Sequence, residues 1–364
     1  MLTVLGNQKR YIGLDIMKGI AIFGVVLYHV GIVNIADATG FAYYLNVIVD
    51  SAISISMAIF FFVNGFLLMS KTEIDIGKHY LKLLKNLLVL WFWSALCLLV
   101  ISIYRHEYLS VKDVFISIFI LKNGWNHYLW FFYAYLGISA CYPLVLRIYQ
   151  NHKKIYMTAM IAISIIGYGL WIVYNVSYVA VADGHIGGLK IINAIKPFYT
   201  TATVRALYIV PSFLIGGACN YFKDKLTGKP SRIAITVLAV AAFAAMTICN
   251  VIIVKDNPHN DIIERNFSSP TAMLAALALF VNLINVKPTR FATVMGAAGK
   301  YSLGIYLIHW YFTVLLWDTA VRAEVAPNAS AIFLIGIALL YLLASLAISA
   351  PLYKNESTKV LFLK

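Results

Sequence analysis

Asp15, Lys18 and His29 lie within one apolar stretch near the start of the chain, RYIGLDIMKGIAIFGVVLYHV, from Arg10 to Val30. A neutral imidazole accepts a proton near neutral pH, so His29 suits the role of general base toward a hydroxyl. The alternative is a structural histidine bonded to a neighbouring helix. Lys18 can hold an anion, either a phosphate or a thioester oxygen becoming an oxyanion. It can equally be the plain charge partner of Asp15, which stands three residues before it and reads as structural.

The element that positions these groups is a membrane helix. A charge within hydrocarbon costs about 2.5–3.5 kcal/mol on insertion scales, so such residues pair, face a cavity and mark function. Lys18 and His29 are eleven residues apart, close to three full turns. Both side chains therefore leave one helix face, about 16 Å from each other. That face must look toward protein or water.

Other polar groups stand in apolar surroundings. Asn64 and Gly65, in SMAIFFFVNGFLLMSK, read first as a small-residue and amide contact between helices. His127, Tyr128 and Trp130 cluster where a span enters the membrane, as an aromatic belt or as a platform for stacking a sugar. Tyr301, Ser302, Tyr306 and His309, in GKYSLGIYLIHWYF, share a polar stripe, and a second membrane histidine favours a shared polar cavity. Trp130, His127, Tyr128, Asn64 and His309 form the candidate substrate-binding set beside His29 and Lys18.

Composition sets the class. The 364 residues are 62% hydrophobic and 12% charged, with a mean hydropathy of +0.82, which points to a polytopic membrane protein. A net charge of +14 could suit nucleic acid, but the basic residues are scattered between apolar spans, so no nucleic-acid partner is expected. The four cysteines fall in or beside apolar runs without CxxC spacing, which argues against a disulfide framework or a metal site. The first span is too long and too charged for a cleaved signal peptide and is expected to be retained. A fixed-period repeat, a Walker loop, GxGxxG, HExxH and GxSxG are all missing.

Apolar runs predict an all-α integral membrane protein of about ten spans, near 12–34, 47–69, 83–103, 128–149, 155–176, 204–222, 232–254, 270–286, 301–319 and 330–352. Residues 111–121 are apolar but too short to cross. With both termini cytoplasmic, 19 of the 29 lysines and arginines fall on the inner side and nine on the outer, Lys18 being within a span. This is the positive-inside bias. His29 then lies in the outer half of its helix and Lys18 in the inner half. Asp261, Glu264, Arg265 and Asn266 form a polar cluster in an outer loop, where solvation is the default.

In these motifs the chain resembles the acyltransferase-3 family of bacterial multi-pass membrane acyltransferases. That family's first helix carries a basic residue, usually Arg, then ten residues and a His. Here the pattern is LDIMKGIAIFGVVLYH, with Lys18 in the basic position, which loses the bidentate fork of Arg. FFFVNGFLL, with Asn64 where the family usually has Ser, HYLWFFYAYLGISACYPL, RNFSSPTAMLAALALF and KYSLGIYLIH are similar to further family segments, in order, from residue 10 to 312.

The resemblance implies a single polytopic acyltransferase domain over 1–364 in the bacterial inner (cytoplasmic) membrane, of the stand-alone sugar O-acetyltransferase type. It implies acetyl-CoA (acyl-CoA) as donor, no bound cofactor, and as acceptor a hydroxyl of a surface polysaccharide or its lipid-linked sugar precursor. Acyl-CoA would enter near Lys18 and the acceptor near His127, Tyr128 and Trp130. His29 would act as general base or carry the acyl group transiently. The rival reading is a transporter that flips a lipid-linked saccharide, which would need the same spans and polar interior.

Overall fold

Without water in the hydrocarbon layer, every backbone N–H and C=O must be satisfied within the protein. Among the described residues of the computed structural model, this chain meets the demand with helices and no strands. Those residues are 11–30, 40–120, 126–182, 186–195, 201–256, 269–316, 331–355 and 358. The cluster Asp261, Glu264, Arg265 and Asn266 lies outside them.

The helices are α1 (Ile12–Val30), α2 (Gly40–Ile53), α3 (Ile55–Met69), α4 (Ile76–Arg105), α5 (Val111–Ile120), α6 (Trp130–Asn151), α7 (Lys153–Ala182) and α8 (Ile186–Ile195). They continue with α9 (Thr201–Leu226), α10 (Lys229–Asp256), α11 (Pro270–Leu283), α12 (Arg290–Met295), α13 (Ala297–Lys300), α14 (Ser302–Leu316) and α15 (Ala331–Lys354). A 3₁₀ turn, His127–Leu129, leads into α6.

Among the described residues, seven stretches are long and apolar enough to cross a membrane. Each coincides with one of the ten expected spans. The three remaining expectations fall on α9, α11 and α14. Of these helices, α11 has 14 residues, shorter than the roughly 20 that a full crossing needs, and α14 runs to Leu316, where that stretch of described residues ends. α9 has 26 residues and carries Lys223 and Lys225 in its last turn. The expected span at 47–69 is part of a longer stretch, Gly40–Met69, divided between α2 and α3 at Ser54. There the Ser54 hydroxyl donates to the Ser51 carbonyl at 2.7 Å, the local back-bonding that bends apolar helices.

α1 occupies the centre, packed against α2, α3, α11, α12, α13, α14 and α15. In its apolar window 72% of residues are buried, against 11% for Lys153–Tyr174 of α7 and 17% for Lys229–Val251 of α10. The helix with three ionisable residues is thus surrounded by protein, while α7 and α10 present apolar side chains outward as bilayer-facing helices do.

Two glycines set the close approach of α3 and α9. Gly65 of α3 lies against the Phe213 carbonyl of α9, and Gly216 of α9 lies against the Phe62 carbonyl of α3. Without an aqueous hydrophobic drive between helices, such small-residue contacts are what hold membrane helices together. A Cβ at Gly65 would overlap the Phe213 backbone, which cannot yield as a flexible side chain would. Gly65→Ala is expected to destabilise the protein by about 1–3 kcal/mol, the usual cost of overpacking. A lowered Tm in detergent checks this, and an unchanged Tm contradicts the contact.

α4 and α6 are joined at a proline. Pro143 has no N–H to give the Ser139 carbonyl one turn earlier. The His79 ring donates to that carbonyl through Nε2 at 2.8 Å, and the Tyr80 hydroxyl donates to the next one, Ala140, at 3.0 Å. The start of α4 is fixed by Asp75, whose side chain accepts from the Lys78 backbone N–H at 3.0 Å. That bond and the Lys78 ammonium hold the Asp75 carboxyl below the usual carboxylate range.

Candidate active site

His29 occupies the last turn of α1, half-buried. Its Nδ1 lies 2.7 Å from Nε2 of His309 on α14, and the two rings meet edge to edge, nearly parallel at 11° with centroids 5.0 Å apart. His309 is fully buried. Its other nitrogen, Nδ1, lies 3.0 Å from the Ile305 carbonyl of its own helix. Trp310 meets His29 edge-on at 5.1 Å. Tyr128 stacks on Trp310 at 5.1 Å and turns toward His309 at 6.2 Å. The Tyr306 hydroxyl donates to the Tyr128 carbonyl, tying the entry of α6 to α14.

At the other end of α1, Lys18 Nζ contacts Asp15 Oδ1 at 2.9 Å. Asp15 is buried, whereas the Lys18 side chain keeps 22% of its surface. Lys18 also lines a cavity of about 280 Å³. Lys82 and Asn86 of α4, Asn64 of α3, Lys300 of α13 and Ser302 of α14 add further polar groups. Phe60, Phe131, Phe132, Tyr135, Tyr306 and Val25 give it an apolar and aromatic wall.

Position along α1 relates the two sites. Lys18 and Val25 both line the cavity, and Val25 is four residues before His29, one turn away on the same face. Tyr306 lines the cavity as well, with its ring 5.9 Å from that of His309. The cavity therefore runs from a cationic end at Lys18 to within about one turn of the histidine pair. Lys71, outside the spans, lies within electrostatic reach of Lys82. Burial, and then the Lys82 charge, hold its ammonium below the usual lysine range.

The structure thus brings His29, His309 and Tyr128 together, and places Lys18 and Asn64 on the neighbouring cavity. Gly65 and Asn64 divide the work of their motif, the glycine packing on α9 and the amide facing the cavity. Tyr128 is buried against Trp310, while His127 is exposed and Trp130 half-buried. Of the polar stripe on α14, Ser302 and Tyr306 line the cavity, whereas Tyr301 packs on Tyr353 of α15 at 5.3 Å.

Sequence reasoning missed Lys82, Asn86, Lys300 and Trp310. Asn86 left a signal, an amide inside an apolar run. Lys82 and Lys300 left none, because inner-loop lysines follow from topology alone. Among the described residues, no group of three or more His, Cys, Asp or Glu side chains is placed to hold a metal ion.

The sequence profile described as an acyltransferase domain, that of the acyltransferase-3 family, matches residues 11–354, nearly the whole chain. The chain belongs to the acyltransferase-3 family. No curated protein and no solved structure matches it. Membership makes the chain a multi-pass membrane acyltransferase. An acyltransferase has to bring a donor thioester or ester, an acceptor and a base to one point. In this acyltransferase the cationic cavity and the histidine pair are adjoining places where those parts can meet.

Proposed function

We propose that this acyltransferase moves an acetyl group from acetyl-CoA to a hydroxyl of a cell-surface polysaccharide or its lipid-linked sugar precursor. It does so in the bacterial cytoplasmic membrane, with both termini cytoplasmic. The observation that carries the reading is the cavity that begins at Lys18, Lys82 and Lys300 and ends one helical turn below His29. The three ammonium groups suit the phosphates of the donor, and the apolar wall suits its extended arm. Lys82 and Lys300 share the cavity with Lys18 of α1, and Lys71 lies within electrostatic reach of Lys82. Lys223 reaches the Tyr11 hydroxyl at 3.4 Å, in keeping with a cytoplasmic donor entrance.

In the reaction, His29 takes the proton of the acceptor hydroxyl as its oxygen attacks the thioester carbonyl carbon. The C–O bond forms, the C–S bond breaks, and the sulfur leaves with the electron pair of that bond. His29 then returns the proton to the thiolate, giving free CoA and a neutral imidazole. The acceptor enters from the opposite end, where His127 is exposed and Trp130 half-buried.

Purified protein in lipid nanodiscs with labelled acetyl-CoA and extracted host polysaccharide tests this reading. CoA release with transfer of label to the saccharide is the expected result. Absence of both, or movement of lipid-linked saccharide across the bilayer without CoA release, overturns it. Lys82→Ala and Lys300→Ala are each expected to raise KM for acetyl-CoA about fivefold with little change in kcat, the order of one charge contact worth about 1 kcal/mol. Steady-state kinetics on the two variants checks it.

A further inference from the structure

We propose that His309 is a positioning residue that fixes which nitrogen of His29 carries the proton, so that Nε2 of His29 is the basic atom of the site. The inference deepens the acyl-transfer reading and rests on it for its meaning, but not for its test.

The argument is one of donors and acceptors. The Ile305 carbonyl can only accept, so the His309 nitrogen 3.0 Å from it, Nδ1, carries a proton. A charge on the His309 ring would be taken wholly out of water, since the ring is fully buried, so the neutral form is the one the site holds. Neutral His309 protonated on Nδ1 presents a lone pair at Nε2. His29 Nδ1 lies 2.7 Å from that lone pair, a separation at which two lone pairs would repel and one N–H makes a hydrogen bond. His29 therefore donates from Nδ1, and its own lone pair is on Nε2.

This inverts the more common protonation of a free imidazole and gives the site a chain of directed bonds, Ile305 C=O to His309 to His29. When His29 Nε2 takes the acceptor's proton, the resulting imidazolium keeps its Nδ1–H on the His309 lone pair, which stabilises the charge as it forms. The arrangement plays the part that an orienting carboxylate plays behind a catalytic histidine. Here a second imidazole fills it, held in turn by a backbone carbonyl. Trp310, edge-on to His29, and Tyr128, stacked on Trp310, hold the pair in place.

The test uses full-length protein with ¹⁵N-labelled imidazoles in lipid nanodiscs. Solid-state NMR at neutral pH reads the tautomer of His29 directly, assigned by its loss in His29→Gln. Wild type is expected to show Nδ1 protonated and Nε2 not, with coupling of the Nδ1 proton to a second imidazole nitrogen. His309→Gln, whose amide oxygen can accept from Nδ1–H, should retain that tautomer. His309→Phe should shift His29 toward the Nε2-protonated form. Kinetically, His309→Phe should lower kcat by about 10²-fold with KM for acetyl-CoA unchanged, and His309→Gln should recover at least tenfold of that loss. A His29 protonated on Nε2 in wild type, or a tautomer indifferent to His309→Phe, overturns the proposal. The tautomer decides it even in a preparation that releases no CoA, an outcome that would instead count against acyl transfer.

Discussion

His29→Ala is expected to lower CoA release from acetyl-CoA by about 10²–10⁴-fold, the range a positioned general acid or base contributes, with the protein still present and folded in the membrane. His29 sits in the last turn of α1 and is only half-buried, so truncation leaves most of the helix interface intact. What remains behind is the His309 Nε2 lone pair without its donor, a cost on the order of 1–3 kcal/mol. The measurement is turnover per molecule of protein, with Tm in the same detergent as control. Activity retained in His29→Ala would remove the histidine from the chemistry and leave it as a tie between α1 and α14.

The second large effect is expected at Lys18, where stability and donor binding are entangled. Removing one member of a buried ion pair leaves the other charge uncompensated, which costs about 3–5 kcal/mol in a fully buried setting. With 22% of the Lys18 side chain exposed, a smaller loss of about 2 kcal/mol is expected for Lys18→Ala. Asp15→Asn introduced together with Lys18→Ala removes the stranded carboxylate and should recover most of that stability. It should not recover acetyl-CoA binding, so KM stays raised by about tenfold or more in both variants. Lys18→Arg should keep the pair and much of the activity. If the double variant restores KM as well as Tm, Lys18 is only the partner of Asp15.

The central helix and its polar face were legible from spacing alone. Three ionisable residues in an apolar run admit few explanations, and the eleven-residue interval puts Lys18 and His29 on one side of any helix. The motif around Asn64 was legible only as a whole. Which residue packs and which faces the cavity depends on the rotation of α3, and that is set by the Phe213 carbonyl on a helix some 150 residues later. Tyr128 shows the opposite difficulty. An aromatic residue at a span entry reads as a surface ring, yet here it is buried against Trp310, because the 3₁₀ turn before α6 tips it inward. The pairing of His29 with His309 across 280 positions shows in the sequence only as a second membrane histidine, not as a contact. It arises from the packing of α14 against α1, a property of the assembled bundle.

The interlocked glycines of α3 and α9 bear on how this enzyme can diversify. Asn64 and Phe60 lie on the α3 side of the cavity, beside a helix contact in which backbone meets backbone and no side chain can adjust. A larger residue at either glycine is expected to be felt first as loss of fold. The opposite side, formed by Lys82, Asn86, Phe132 and Tyr135 on α4 and α6, is built from side chains alone. Relatives that have acquired different donors should therefore differ on α4 and α6 while keeping glycine at the positions of Gly65 and Gly216.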